Sequence, residues 1–147
     1  MRKRLFLDLQ EKVLAIENEK KEKVFKFFDI WNRNIMYLVK EQPFDVPAVF
    51  MEFMPIEWQT LPKQTAQMGD LTFRLHIVSR FYSQTHNSSP LQEEELEYLD
   101  LPERLHDSLH LVRLTNTGTI VHESSTFDSS HDSYIESIEQ YRCKIKF

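Results

Sequence analysis

The chain has 147 residues, of which 41% are hydrophobic and 28% charged, an ordinary composition for a globular domain with a core of its own. Two glycines and one cysteine, Cys143, exclude a glycine-rich phosphate loop and an internal disulfide, and they favour a reducing compartment. The net charge is −5 and no apolar run approaches the roughly 20 residues of a membrane span, so we expect residues 1–147 to form one domain outside the membrane.

The first predicted element is a helix. Its apolar residues recur at steps of three or four, at Leu5, Leu9, Val13 and Ile16. This spacing predicts an amphipathic helix over about residues 3–20. Acidic residues interrupt the apolar stretch that follows the basic opening "MRKR", so we interpret the segment as a helix and not as a signal peptide.

Two strands are predicted next. The stretches "KVFKFFDIW" and "PAVFMEF" are rich in aromatic and β-branched residues, which is typical of strands. A short helix is expected between them, with Asn32 or Asn34 as its cap and Ile35, Leu38 and Val39 on one side, and it should end before Pro43. "IEWQTL" adds a few further strand residues before the long strand that comes next.

The stretch "DLTFRLHIVSRFY" at 70–82 alternates in polarity. Successive side chains of a strand point to opposite faces, so the odd positions form an apolar face and the even positions a polar one. The even face carries Arg74, His76 and Arg80. We interpret His76 as part of this polar contact surface and not as a reactive group.

The second half of the chain begins with a polar loop at 83–90. Leu101, Leu105, Leu109 and Val112 return to helical spacing and predict a helix over 101–114. "TIVHESSTF" predicts a strand, "DSSHDS" a turn, and the remainder a closing strand. In that strand Tyr141, Cys143, Ile145 and Phe147 are expected inward, and Arg142, Lys144 and Lys146 outward.

This order of elements predicts an α+β fold. We expect one mixed or antiparallel sheet with two main helices packed on one face and a closing β-hairpin. The strands each have one apolar face, as a half-solvated sheet requires.

Charge is distributed unevenly along the sequence. Positions 83 to 110 contain seven acidic residues and one basic residue. The last seven residues contain three basic residues, Arg142, Lys144 and Lys146, and no acidic one. If the two long strands are neighbours, six side chains form one interface, namely Arg74, His76, Arg80, Arg142, Lys144 and Lys146. A basic interface can bind the acidic surface of another copy or a nucleic-acid backbone, and we place the protein partner first.

Two histidines have the spacing of a metal-ligand pair. His106 and His110 lie at i,i+4 on the predicted helix, but Asp107 stands where the H-E-x-x-H motif needs Glu. They are weak candidates for a metal pair, with His122 or His131 as a third ligand. No nucleophile elbow and no shielded carboxylate pair accompanies them, so the sequence predicts no catalytic residue.

The middle of the chain, "DIWNRN", "PFDVPAVFMEFMPIEWQTL" and "QMGDLTFRLHIVSRFY", resembles the small tail-completion and tail-terminator proteins of tailed bacteriophages and prophages. The resemblance implies a leading helix, a strand led by proline, a longer strand with a central His, a second helix and a closing hairpin. Here those features fall on "PAVFMEF", His76, the helix at 101–114, and "FDSSHDSY" with "YRCKIKF".

The resemblance implies a structural role without catalytic residues or cofactors. We therefore expect a homo-oligomeric ring that joins other phage tail or head–tail proteins, formed in the bacterial cytoplasm and retained in the particle. Two alternatives stay open. One is a small metal-dependent enzyme or ligand-binding domain that uses His106 and His110, and the other is a nucleic-acid-binding module on the basic strand face.

Overall fold

The computed structural model describes residues 1–32, 44–63, 66–129 and 133–146. Its elements, in chain order, are α1 (Arg2–Leu14), β1 (Phe27–Ile30), β2 (Ala48–Phe53), β3 (Glu57–Thr60), β4 (Gln67–Arg80), α2 (Gln92–Glu95), a 3₁₀ helix (Glu97–Asp100), α3 (Leu101–Leu109), β5 (Val121–Asp128) and β6 (Tyr134–Lys146). No helix among the described residues is long and apolar enough to cross a bilayer. The short helix expected after Asn32 lies outside the described residues.

The strands form one six-stranded sheet in the order β1-β2-β4-β6-β5, with β3 paired to β4 beyond the end of β2. β1 runs parallel to β2, and the other pairs are antiparallel. The sheet is therefore mixed. β5 and β6 form the expected closing hairpin, and the predicted α+β class is confirmed.

The main core lies between the odd-numbered side of β4 and the two longer helices. Leu9 of α1 and Leu105 of α3 are both fully buried against residues such as Phe73 and Leu75. Removing one such side chain from water contributes about 1.5–3 kcal/mol. Tyr141, Cys143 and Ile145 of β6 join this core as expected, whereas Phe147 lies outside the described residues.

The two main helices are shorter than the sequence indicates. α1 ends at Leu14, not near residue 20, because the Asn18 side chain accepts hydrogen bonds from the backbone N–H groups of Lys20 and Glu22 and forms a turn. α3 ends at Leu109, not 114. There the backbone of Leu111 turns away with φ 61° and donates to the Ile120 carbonyl. In both places a competing hydrogen bond stops the helix.

The opposite face of the sheet has a second, smaller core that the alternating pattern of β4 did not indicate. It consists of Phe44, Ala48, Phe50 and Val78, with the partly buried side chains of Phe27, Trp31, Val46 and Tyr134 packed against them. One end of the even-numbered face is thus covered, and the other end stays open to solvent.

Candidate interaction surfaces

The six residues predicted as an interface lie on two adjacent strands. β4 and β6 pair antiparallel, with Thr72 opposite Arg142 and Met68 opposite Lys146. Residues directly opposite each other in such a pair project from the same face. The structure therefore places all six predicted residues on the even-numbered face, in a row that runs from Arg80 at one end to Lys146 at the other.

Acidic side chains accompany most of these cations. Asp70 lies directly opposite Lys144, and Arg142 Nε is 3.0 Å from Glu123 Oε1. Arg74 Nε donates to Gln140 Oε1 at 3.0 Å and has Glu52 as its neighbour on β2. A row of alternating charges lacks the concentrated positive field that phosphate backbones need. The arrangement therefore disfavours nucleic acid as the ligand of this face.

Two of the cations differ from the others. Lys144 and Lys146 are exposed, and neither forms an ion pair with any of the described residues. Both lie in the last three residues of β6, next to the start of β4. They bring positive charge to this end of the sheet, where Asp70 lies opposite Lys144 and Glu57 lies opposite Asp70.

His76 is buried within the molecule. Only 3% of its surface is exposed, and its ring is stacked on Trp31 with centroids 3.9 Å apart and planes 2° from parallel. Its two ring nitrogens lie within hydrogen-bond distance of Glu52 and Glu136. His76 thus lies beneath the row of cations and not on its surface. Its carboxylate partners were not identified from the sequence.

Arg80, at the covered end of the row, is held by aromatic neighbours. Its Nη2 donates to Tyr134 Oη at 3.3 Å, and its guanidinium lies 5.7 Å from the centre of the Tyr82 ring and 5.5 Å from that of Tyr134. A cation at such distances is attracted by the ring faces. Arg80 is therefore fixed in the fold of this chain.

The acidic segment, which we define as residues 92–107, covers α2, the 3₁₀ helix and most of α3. Its acids are Glu93, Glu94, Glu95, Glu97, Asp100, Glu103 and Asp107. All but Glu95 are exposed, and within the described ranges none of the seven forms an ion pair. The one base of the segment, Arg104, contacts Glu19 at 3.3 Å. The segment consequently presents unpaired negative charge to solvent.

Glu94 and Glu97 of the acidic segment lie at the opposite end of the long strands from the two free lysines. Glu94 and Glu97 line an open cleft of about 850 Å³ that also contains Arg80, the last residue of β4. Lys146 is opposite Met68, twelve residues earlier in the same strand. At about 3.3 Å per residue, this separates the two charged ends by roughly 40 Å.

His106 of α3 and His110, which follows the last residue of that helix, do meet His122 of β5. His106 Nδ1 lies 3.0 Å from His122 Nδ1, and the rings of His106 and His110 stack at 4.4 Å. His110 Nδ1 instead accepts the backbone N–H of His122. No group of three His, Cys, Asp or Glu residues in the described part of the chain is arranged to hold a metal ion, and His131 lies outside it.

Glu139 is hydrogen-bonded to this histidine cluster through His122. It is fully buried and accepts hydrogen bonds from Ser137 at 2.6 Å, from Ser125, and from His122 Nε2 at 2.7 Å. Ser125 and Glu139 thus both face the same ring nitrogen. In a catalytic triad the nucleophile and the acid bind opposite ring nitrogens. Glu139 is therefore a buried carboxylate whose hydrogen bonds are all made within the fold, and not part of a catalytic triad. In the sequence, the only indication of this arrangement is an acidic residue at an inward strand position.

Two further core groups of β6 are held in their neutral forms. Burial raises the pKa of the Cys143 thiol to about 11, so little of the thiolate exists at neutral pH. Burial, and secondarily the charge of Glu139, raises the pKa of Tyr141 well above its usual range. Neither residue is set up as a nucleophile or a proton donor.

No known protein family and no curated protein matches this sequence. One solved structure similar to the chain is described as the virion of a native gene transfer agent particle. The similarity covers 83% of this chain and 79% of that chain, with 7% sequence identity and a TM-score of 0.47. A similarity at this level supports no argument about function, so the proposals below rest on the residues of this chain.

Proposed function

We propose that this protein is a non-enzymatic assembly subunit, a single domain over residues 1–147, that associates head to tail with copies of itself into a closed ring. In the phage-type setting that the sequence resemblance implies, the ring is a tail-completion or tail-terminator component. It would form in the bacterial cytoplasm and join other tail or head–tail proteins in the particle.

One observation carries this proposal, namely the separation of opposite charges along the long strands. Among the described residues none of the acids of the acidic segment forms an ion pair, and Arg104 contacts Glu19, which lies outside the segment. Lys144 and Lys146 at the other end form no ion pair among these residues either, although Asp70 lies opposite Lys144. Two different complementary patches at opposite ends of one subunit favour heterologous contacts, which close into rings when the rotation between copies permits. Complementary charge also speeds encounter and fixes the orientation of partners.

The order of elements supports the same proposal. The sequence resemblance implies a leading helix, a strand led by proline, a long strand with a central His, a second helix and a closing hairpin. These correspond to α1, β2 after Pro47, β4 with His76, α3, and β5 with β6. This agreement concerns the fold.

The alternatives are less well supported. A nucleic-acid module needs an unneutralised basic face, whereas Asp70 and Glu123 accompany Lys144 and Arg142. A metal-dependent enzyme needs a ligand set, whereas His106 and His122 face each other without a third ligand in the described residues.

The proposal is tested by reversing charge at each end separately. One variant carries Lys144→Glu and Lys146→Glu, and the other carries Glu94→Lys and Glu97→Lys. We expect each variant alone to remain monomeric, because like charges then meet at the contact. An equimolar mixture should associate again, in alternating copies, because opposite charges face each other at every contact. Light scattering coupled to gel filtration measures the mass in each case.

A matched control is Arg2→Glu with Lys3→Glu. It changes the net charge by the same amount as the Lys144 and Lys146 variant, but at two exposed residues of α1. It should associate like the wild-type protein. Variants that associate unchanged, or a mixture that stays monomeric, would reject the head-to-tail contact.

A further inference from the structure

Two histidine rings direct their Nδ1 atoms at each other between α3 and β5. His106 Nδ1 and His122 Nδ1 are 3.0 Å apart, and the ring planes are tilted by 54° with centroids 5.2 Å apart. Each neutral imidazole has one nitrogen lone pair, and histidine nitrogen is the commonest side-chain ligand of zinc and copper ions. Both residues are partly exposed. An ion from solvent can therefore reach the pair.

The ring of His122 is oriented by a buried carboxylate. Its Nε2 lies 2.7 Å from Oε2 of Glu139, which also accepts hydrogen bonds from Ser125 and Ser137. An ionised carboxylate only accepts, so Nε2 carries the proton of the neutral ring and Nδ1 carries the lone pair. Metal-binding histidines almost always donate their second N–H to a carboxylate, a carbonyl or water, which fixes the ring. His122 has this arrangement, with its lone pair directed at His106.

The ring of His106 is positioned by His110. Their rings stack with centroids 4.4 Å apart and planes 20° from parallel, and His110 Nδ1 accepts the backbone N–H of His122. That hydrogen bond uses the Nδ1 lone pair of His110. The i,i+4 pair that the sequence suggested therefore does not direct two Nδ1 lone pairs at one point. The pair that can share an ion is His106 with His122.

The separation of the two Nδ1 atoms suits a shared ion after a small movement. Zinc binds histidine nitrogens at about 2.0–2.1 Å in tetrahedral geometry, which places two such nitrogens about 3.3 Å apart. The observed 3.0 Å is a hydrogen-bond distance between the rings, and widening it by about 0.3 Å makes room for the ion. A divalent ion also brings positive charge toward Glu139, whose one ion-pair contact among the described residues is His122.

We propose that His106 and His122 bind one divalent zinc-like metal ion through their two Nδ1 atoms, with Glu139 and His110 as positioning residues. Two protein ligands leave two tetrahedral positions open to water, whereas catalytic zinc sites have three protein ligands. The site is therefore structural and links α3 to β5. It is independent of the proposed assembly function, because it uses none of the charged residues on which that proposal depends.

The test is calorimetric titration of the whole protein with Zn²⁺, together with urea unfolding at increasing free zinc. We expect one zinc ion per chain, and an unfolding equilibrium constant that falls about 100-fold when free zinc is 100 times the dissociation constant. Mg²⁺ should have no such effect, because it prefers oxygen ligands. His106→Ala and His122→Gln should each weaken zinc binding by about tenfold or more, since even the loss of an outer partner of a ligand costs that much.

His86→Ala is the matched control, because it removes an exposed histidine of the polar loop and should leave zinc binding unchanged. Nitrogen NMR of the wild-type protein does not depend on any variant folding, and zinc should shift the Nδ1 resonances of His106 and His122 before those of His86. Three results would overturn the proposal: a wild-type protein that binds no zinc, binding that persists unweakened in either ligand variant, or binding that is lost in the control.

Discussion

Individual residues in this sheet are constrained by close packing as much as by polarity. Gly69 of β4 is the clearest case, because a Cβ atom built there would lie 2.9 Å from Ile56 Cγ2 and 2.9 Å from Trp58 Cε3. Real Cβ atoms do not approach other carbons so closely, so the side chains of Ile56 and of Trp58 in β3 occupy the space that the glycine leaves. The residue is required for β3 to pair with the long strand at Trp58 opposite Gly69.

We therefore predict that Gly69→Ala destabilises the protein by about 1–3 kcal/mol through overpacking. Gly118→Ala is the matched control, because its new Cβ would lie 3.3 Å from the nearest atom, Lys144 Cβ. The control should change stability by less than about 1 kcal/mol. Urea denaturation measures both, and equal effects for the two variants would show that the contact with β3 does not restrict position 69.

Sequence reasoning at this scale identified inward positions but not polar partners. The alternation of β6 correctly placed Tyr141 and Cys143 in the core. It gave no indication that His76 would be enclosed by Glu52 and Glu136, because those residues lie 24 and 60 positions away along the chain. Such partners depend on the strand order, which a single sequence does not specify.

At the scale of elements, α1 is held by one apolar stripe. Leu5, Leu9 and Val13 are buried on the sheet, whereas Leu7 on the other side is 43% exposed. The helix has no side-chain cap at its N-terminus, so its stability comes mainly from packing. Substitutions in α1 therefore test directly whether this helix covers the sheet through its apolar stripe.

Leu9→Ala should lower the free energy of unfolding by about 2–5 kcal/mol, because it leaves a cavity in the core. The same substitution at Leu7 should change it by less than about 0.5 kcal/mol. Both variants alter helix propensity equally, so their difference isolates burial. Thermal or urea unfolding provides the measurement, and a comparable loss at Leu7 would mean that α1 does not pack on the sheet through this stripe.

The elements themselves were largely predictable, and their ends were not. Helical and alternating spacing located α1, β2, β4, α3 and the closing hairpin, since burial of one face imposes that spacing. The premature ends of α1 and α3 arise from Asn18 and from the pairing of Leu111 with Ile120. α2 and the 3₁₀ helix were missed, because a run of acids gives no apolar periodicity.

At the scale of the whole molecule, unpaired acidic residues and unpaired lysines lie toward different ends of the subunit. Glu94 and Glu97 lie in the cleft beside Arg80, and Lys146 lies about 40 Å from Arg80 along the strands at the strand spacing. Neither patch can therefore neutralise the other within one copy. The sequence indicated unequal charge along the chain, but only the antiparallel pairing of β4 with β6 brings Lys146 to the start of β4 and so to the end opposite the acids.

The most direct test of the assembly proposal is the mass of the wild-type protein in solution at two ionic strengths. Raising the salt from about 0.1 M to about 1 M shortens the Debye length from about 10 Å to about 3 Å. Sedimentation velocity should reveal a single closed oligomer at the lower salt, with a mass that stays constant as protein concentration rises. It should dissociate toward the 17.7 kDa chain at the higher salt. A protein that sediments as a monomer at low salt and high concentration would contradict the account.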